Sequence, residues 1–122
     1  MRLTSKFYIM NALVNKVQLI GQLGNNPEVK TLESGKKVAN FSMATNESYK
    51  NQAGEKVTDT QWHNVVAWGP TAGIVEQYVH KGERIAIEGK LTSRSYEDKT
   101  GVKRYVTEVV ANEVLLLSSK PI

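Results

Sequence analysis

The chain has no cysteine among its 122 residues. That excludes a disulfide scaffold, a thiolate metal site and a cysteine nucleophile. It also has no apolar run near the ~20 residues a membrane helix needs. Near the start, the only apolar run is Phe7-Tyr8-Ile9-Met10. A secretory core of about 7–15 apolar residues is therefore missing, and no signal peptide is expected. Solenoid repeats and low-complexity tracts are absent too. The excess of positive charge is small, 16 Lys plus Arg against 12 Asp plus Glu, for a net +4. Arg2 and Lys6 supply two of those four units, so any case for an anionic partner has to rest on where the charges sit.

Catalytic signatures are equally scarce. His63 and His80 fit no HExxH spacing, and there is no GxSxG elbow. Gly21-Gln22-Leu23-Gly24 lacks the third glycine and the following helix of a dinucleotide loop. Glu97 and Asp98 lie in a polar turn and read as a solvated loop rather than an acid/base pair. The chain reads as a binding protein, not an enzyme, with no cofactor and no metal.

What is present is alternation of period two. Long strands are expected over 14–24, 37–49, 57–69, 84–96 and 103–117, with a short extended piece at 28–32. Polar loops at 51–55 and 97–101 turn two long hairpins. Between the third and fourth long strands the period changes. Gly69-Pro70 stops the strand, Thr71 is placed to cap a helix, and Ile74, Val75, Tyr78 and Val79 fall at helical spacing. Lys81-Gly82 then marks its end. An all-β, five-stranded Greek-key barrel with one short helix between strands 3 and 4 is the OB-fold. An SH3-like barrel and an open α+β sheet are the alternatives. One such domain fills residues 11–117. Residues 1–10 read as a leader or flexible extension, with Met10 a candidate natural start, and 118–122 as a short tail.

Strand alternation also sorts the candidate ligand face. Trp62, Asn64, Val66 and Trp68 share one side of the third long strand, and His63, Val65 and Ala67 the other. In the fourth, Ile85, Ile87 and Leu91 read as core, leaving Arg84, Glu88, Lys90, Thr92, Arg94 and Tyr96 opposite. Tyr49 ends the second strand beside Lys50, and Lys103, Arg104 and Tyr105 open the last. Rings interleaved with cations suit single-stranded nucleic acid, whose unpaired bases stack on aromatics while Lys and Arg neutralise phosphate.

These residues carry a resemblance. VNKVQLIGQLGNNPEV, VANFSMATNESY, TQWHNVVAWG, YVHKGERIAIEGKLTSRSY and RYVTEVVANEV, in that order from Val14 to Val114, look like the bacterial-type single-stranded DNA-binding proteins. The resemblance implies non-enzymatic, largely sequence-independent binding of single-stranded DNA in replication, recombination and repair, in the cytoplasm at the nucleoid. It implies self-association, typically as a homotetramer, with a dimer as the alternative. The family's stacking rings fall on Tyr49, Trp62, Trp68 and Tyr96, two of them tyrosine where the best-known members have tryptophan, and Trp68 where they have phenylalanine. Phosphate contacts are expected from Lys50, Lys90, Arg94, Lys103 and Arg104, and His63 falls at a subunit-interface position. Asn64 stands where the family pattern has a basic residue. Typical members continue into a Gly/Gln/Pro-rich tail with an acidic tip. Here Ser118-Ser119-Lys120-Pro121-Ile122 stands at that point, so tail-mediated recruitment of repair enzymes is not expected.

Overall fold

A computed structural model describes residues 13–117. The expected extension over 1–10 and tail over 118–122 lie outside them. The elements run β1 (Val17–Leu23), β2 (Glu28–Thr31), β3 (Lys37–Lys50), β4 (Lys56–Trp68), α1 (Gly69–Tyr78), β5 (Arg84–Glu97) and β6 (Lys103–Leu116). The five long strands stand where alternation places them. The short piece at 28–31 forms its own ladder with the start of β3, Glu28 opposite Asn40 and Thr31 opposite Lys37. With β2 counted, the helix follows the fourth strand rather than the third.

The long strands close on themselves. β1 pairs with β5, β5 with β6, β6 with β4, β4 with β3, and β3 returns to β1 through Gln22–Ala44 and Leu23–Met43. All neighbours are antiparallel except β4 and β6, which run parallel over Val65–Ala67 and Val109–Ala111. This is the OB barrel, with closure leaving few free edges.

Burial follows the odd-numbered side of the strands. Phe41, Met43, Val65, Ala67, Ile85, Ile87, Val109 and Ala111 form the core, and Val75 and Val79 of the helix region pack into it. Each of the larger side chains among them contributes on the order of 1.5–3 kcal/mol when fully buried. One reading needs correction. Leu91 has the alternation of a core residue, yet it is 48% exposed. The pairing of β5 with β1 stops at Val17–Gly89, so β5 leaves the barrel there and Leu91 has no third strand to cover it. The register break also falls here, between β5 and β6 at Glu88/Gly89.

The helix differs from expectation at both ends. Its N-cap is Trp68, with Pro70 at the start of the helix, where a missing N–H costs nothing. Thr71 does not cap; its hydroxyl donates to the Asn112 carbonyl at 3.4 Å. The helix stops at Tyr78, with Val79 as C-cap. Gly82 instead serves the following turn, where its N–H donates to the Leu23 carbonyl and ties the turn to β1.

Beyond the barrel, β3–β4 and β5–β6 continue as two hairpin arms. The first ladder runs out to Lys50–Lys56 and the second to Glu97–Lys103. No helix among the described residues is long and apolar enough to cross a membrane.

Candidate nucleic-acid interface

The registers decide which predicted residues share a face. Even-numbered residues of β3 pair with even-numbered residues of β4, as Ser42–Asn64 and Ala44–Trp62. The β4–β6 pair keeps that sense through Val66–Val110. Beyond the register break, even residues of β6 face even residues of β5, as Val106–Arg94 and Arg104–Tyr96. Side chains alternate across a sheet, so Lys50, Trp62, Trp68, Lys90, Arg94, Tyr96 and Arg104 lie on one continuous face. Tyr49, Lys103 and His63 lie on the other. Tyr49 pairs with Val57, five positions along β4 from Trp62, or about 17 Å away.

The rings are not core. Trp62 is 62% exposed and Trp68 40%, and Tyr49 and Tyr96 are about half exposed. Trp62 lies across the β1–β2 connection, where Gly24 has no side chain; any Cβ there would run into the indole. The Gly24 N–H donates to the Ser42 carbonyl, which holds this connection on the sheet. Asn25 Oδ1 accepts from the Ser42 N–H at 3.0 Å and from its hydroxyl at 2.8 Å, extending the same floor. Trp62 thus has one side supported by backbone and the rest open to a flat ligand. Trp68 is less free, because Lys36 Nζ sits 5.3 Å from its ring centroid in a cation–π contact.

The cations divide in a way the sequence did not show. Lys50 and Lys90 have no ion-pair partner among the described residues. Lys50 also faces another lysine, Lys56, across the ladder. Arg94, by contrast, donates from Nε to Glu108 Oε1 at 2.8 Å. That hydrogen bond, with the nearby charge, raises the Arg94 pKa above its already high ordinary value. Arg104 donates from Nε to Asp98 Oδ2 at 2.9 Å. Asp98 is lowered from the ordinary 3.8 to about 2, chiefly by the Thr100 hydroxyl, then by Arg104 and the Val102 N–H.

His63 is partly buried and shares a 2.9 Å hydrogen bond with the Thr45 hydroxyl. It points away from the ring-bearing face, as alternation predicts. Sequence reasoning left Tyr105 out of the stacking set and missed Lys36. Among the described residues Tyr105 is the most exposed ring; it lies on the same side as Tyr49 and Lys103, with Lys103 Nζ 5.5 Å from its centroid. Lys36 was missed because it lies in the β2–β3 turn, remote in sequence from the Trp68 it covers. Among the described residues no cluster of three or more His, Cys, Asp or Glu could hold a metal ion.

Known proteins resemble the chain over most of its length. The Chlorobaculum tepidum protein named single-stranded DNA-binding protein 1 is 47% identical over 108 residues, covering 88% of this chain and 67% of that protein. The Neisseria meningitidis single-stranded DNA-binding protein is 41% identical, over 88% of this chain and 62% of its own length. The solved structure of the Plasmodium falciparum SSB complex with ssDNA superimposes with a TM-score of 0.79 at 31% identity, over 86% of this chain and 96% of that one. A considerable part of the curated relatives' length thus lies outside the match. The sequence model of the Single-strand binding protein family matches residues 14–117, and the chain belongs to that family, one of DNA-binding proteins rather than enzymes.

Proposed function

We propose that this protein coats single-stranded DNA with little regard to sequence, and does so where strands are exposed in replication, recombination and repair at the nucleoid. The observation that carries the reading is the shared face of Trp62, Trp68 and Tyr96 with Lys50, Lys90, Arg94 and Arg104. Bases stack on the rings, Trp62 foremost, while phosphates pass the unpaired lysines. Tyr49 and Lys103, on the opposite face, meet the strand where it wraps around a hairpin arm.

Self-association belongs to the same proposal, as a homotetramer. Two features support it. Ile20, Ile74 and Leu115 are exposed around an apolar hollow on the β1–β5–β6 side. β1 meets β3 only at Gln22 and Leu23, leaving the rest of that edge open to another strand. His63 is assigned to a subunit contact in this arrangement.

Titrating poly(dT) at low salt should quench tryptophan fluorescence, because a stacked base takes up the indole's excited state. Unchanged emission with excess poly(dT) would overturn the reading. Trp62→Ala should weaken binding by about 1–3 kcal/mol while leaving the circular dichroism spectrum intact, since the ring is exposed.

A further inference from the structure

We propose that Lys36 is a further phosphate-contact residue: its ammonium rests on the Trp68 ring until a base displaces it, and it then takes the phosphate on the β2 side of that base. The inference rests on the single-strand reading above. Lys36 is exposed, and its Nζ lies 5.3 Å from the Trp68 ring centroid. Trp68 pairs with Val38 on β3, and Val38 pairs with Lys30 on β2, so the ring faces the β2–β3 hairpin on that side. On the other side, Val66 is linked through Val110 to Lys90, two strands or about 10 Å away. A nucleotide stacked on Trp68 has a phosphate at each end of its sugar. Lys90 stands on one side of the ring and Lys36 on the other.

Lys36 is held at its root and uncommitted at its tip. The β2–β3 turn fixes its backbone: the Leu32 N–H donates to the Lys36 carbonyl at 2.9 Å, and the Gly35 N–H returns to the Leu32 carbonyl at 2.8 Å. The Lys36 N–H reaches the Ser34 hydroxyl at 3.4 Å. The other two lysines of this hairpin have carboxylates near them. Lys37 pairs with Glu76 of the helix, and Lys30 lies 3.9 Å from Glu28. Lys36 has no ion-pair partner among the described residues, and its ammonium meets the ring instead.

The order of strengths makes the exchange work. An exposed cation–π contact is weaker than a base stacked on an aromatic ring, so an incoming base wins the ring. The displaced ammonium sits on a flexible four-carbon stem and can swing to the adjoining phosphate. There it meets a full negative charge and releases a counterion. Tryptophan holds a cation better than tyrosine or phenylalanine does. Trp68 therefore serves twice: as a platform for the base, and before binding as a rest that keeps the lysine beside the track. The contact reads only phosphate, so it adds affinity without preference for any base.

The test measures poly(dT) affinity at several salt concentrations for the full chain and for variants of two adjacent lysines. Lys36→Met keeps an apolar stem and removes the charge. The slope of log affinity against log salt should flatten by about 0.7, one phosphate on a single strand, with affinity about fivefold lower at low salt. Lys37→Met, whose ammonium is engaged by Glu76, should leave the slope unchanged. The chain has two tryptophans, so in a Trp62→Phe background the emission reports Trp68 alone. There Lys36→Met should keep the quench by saturating poly(dT), because the base still stacks. An unchanged slope in Lys36→Met overturns the phosphate contact. Loss of the Trp68 quench overturns it as well, because the lysine then only props the ring. Equal flattening in Lys37→Met does the same, since the effect would follow net charge rather than place. If the wild type binds no poly(dT), the single-strand reading itself fails, and the contact with it.

Discussion

The β3–β4 hairpin turns through Asn51–Glu55 and the β5–β6 hairpin through Asp98–Val102, and the two turns are built alike. In each, the first residue's backbone N–H donates to the carbonyl of the fifth at 3.0 Å, and the fourth residue's N–H returns to the carbonyl of the first. In each, the first side chain accepts from two backbone N–H groups: Asn51 Oδ1 from Ala53 and Glu55, Asp98 Oδ1 from Thr100 and Val102. The fourth residue is glycine in both, Gly54 at φ +80° and Gly101 at φ +81°, the left-handed conformation that glycine adopts without a steric penalty. The charges differ. The β3–β4 turn opens on the uncharged Asn51 and carries its carboxylate, Glu55, only at the fifth position, while the ladder before it sets Lys50 against Lys56, two like charges that gain from an anion between them. The β5–β6 arm carries a carboxylate at the turn, pairs it with Arg104, and pairs Arg94 with Glu108. Cations of equal formal charge are thus unequally placed: Arg94 and Arg104 of the second arm already have a carboxylate partner, whereas Lys50 and Lys56 of the first face each other.

Charge reversal on the first arm should break that contrast most severely. Lys50→Glu with Lys56→Glu should lower single-strand affinity more than tenfold at moderate salt. The slope of log affinity against log salt should flatten by about 1.4, from two lost phosphate contacts on a single strand. Titrations at several salt concentrations check both. Retention of the full slope would place the phosphates elsewhere. The second arm should respond in the opposite direction and less. Asp98→Asn keeps the acceptor that builds the turn and releases Arg104, so affinity should rise about two- to fivefold and the slope steepen by about 0.7.

A third, smaller effect is one of pH. Asp98 has a folded pKa below its unfolded value, so its contribution is present above the unfolded value and is lost as pH falls from about 4 towards about 2. Amide exchange at Thr100 and Val102 should therefore quicken across that window, while Ala53 and Glu55 behind the uncharged Asn51 should show no matching transition. In Asp98→Asn the two turns should become indistinguishable in this respect.

Much of this was legible in the chain. That the two tryptophans of β4 share one side of the strand was legible because alternation within one strand needs no knowledge of its neighbours. The same holds for the buried Val65 and Ala67 on the reverse side. Leu91 misread because its environment depends on where β1 begins, a fact of another strand. The Arg94–Glu108 and Arg104–Asp98 pairs were hidden because they need the β5–β6 register, which shifts at Glu88/Gly89. Lys36 over Trp68 was hidden for a similar reason, since a turn must fold back before the two can meet. The helix ends went astray because Pro70 and the docking of Gly82 on β1 outweighed local capping preference. Local periodicity carried the elements and one face, and the pairing between strands carried the electrostatics.

The parallel junction of β4 and β6 has a consequence for how the protein comes into being. Each hairpin is made of neighbours in the chain and forms with little loss of loop entropy. The junction joins Val65–Ala67 to Val109–Ala111 over only three paired positions, and the helix and all of β5 must emerge before it can close. Contacts of that separation form slowly. A nascent chain therefore carries the first arm, with its rings and unpaired lysines, before it possesses a barrel. The seam, short and late, governs when the surface becomes one surface.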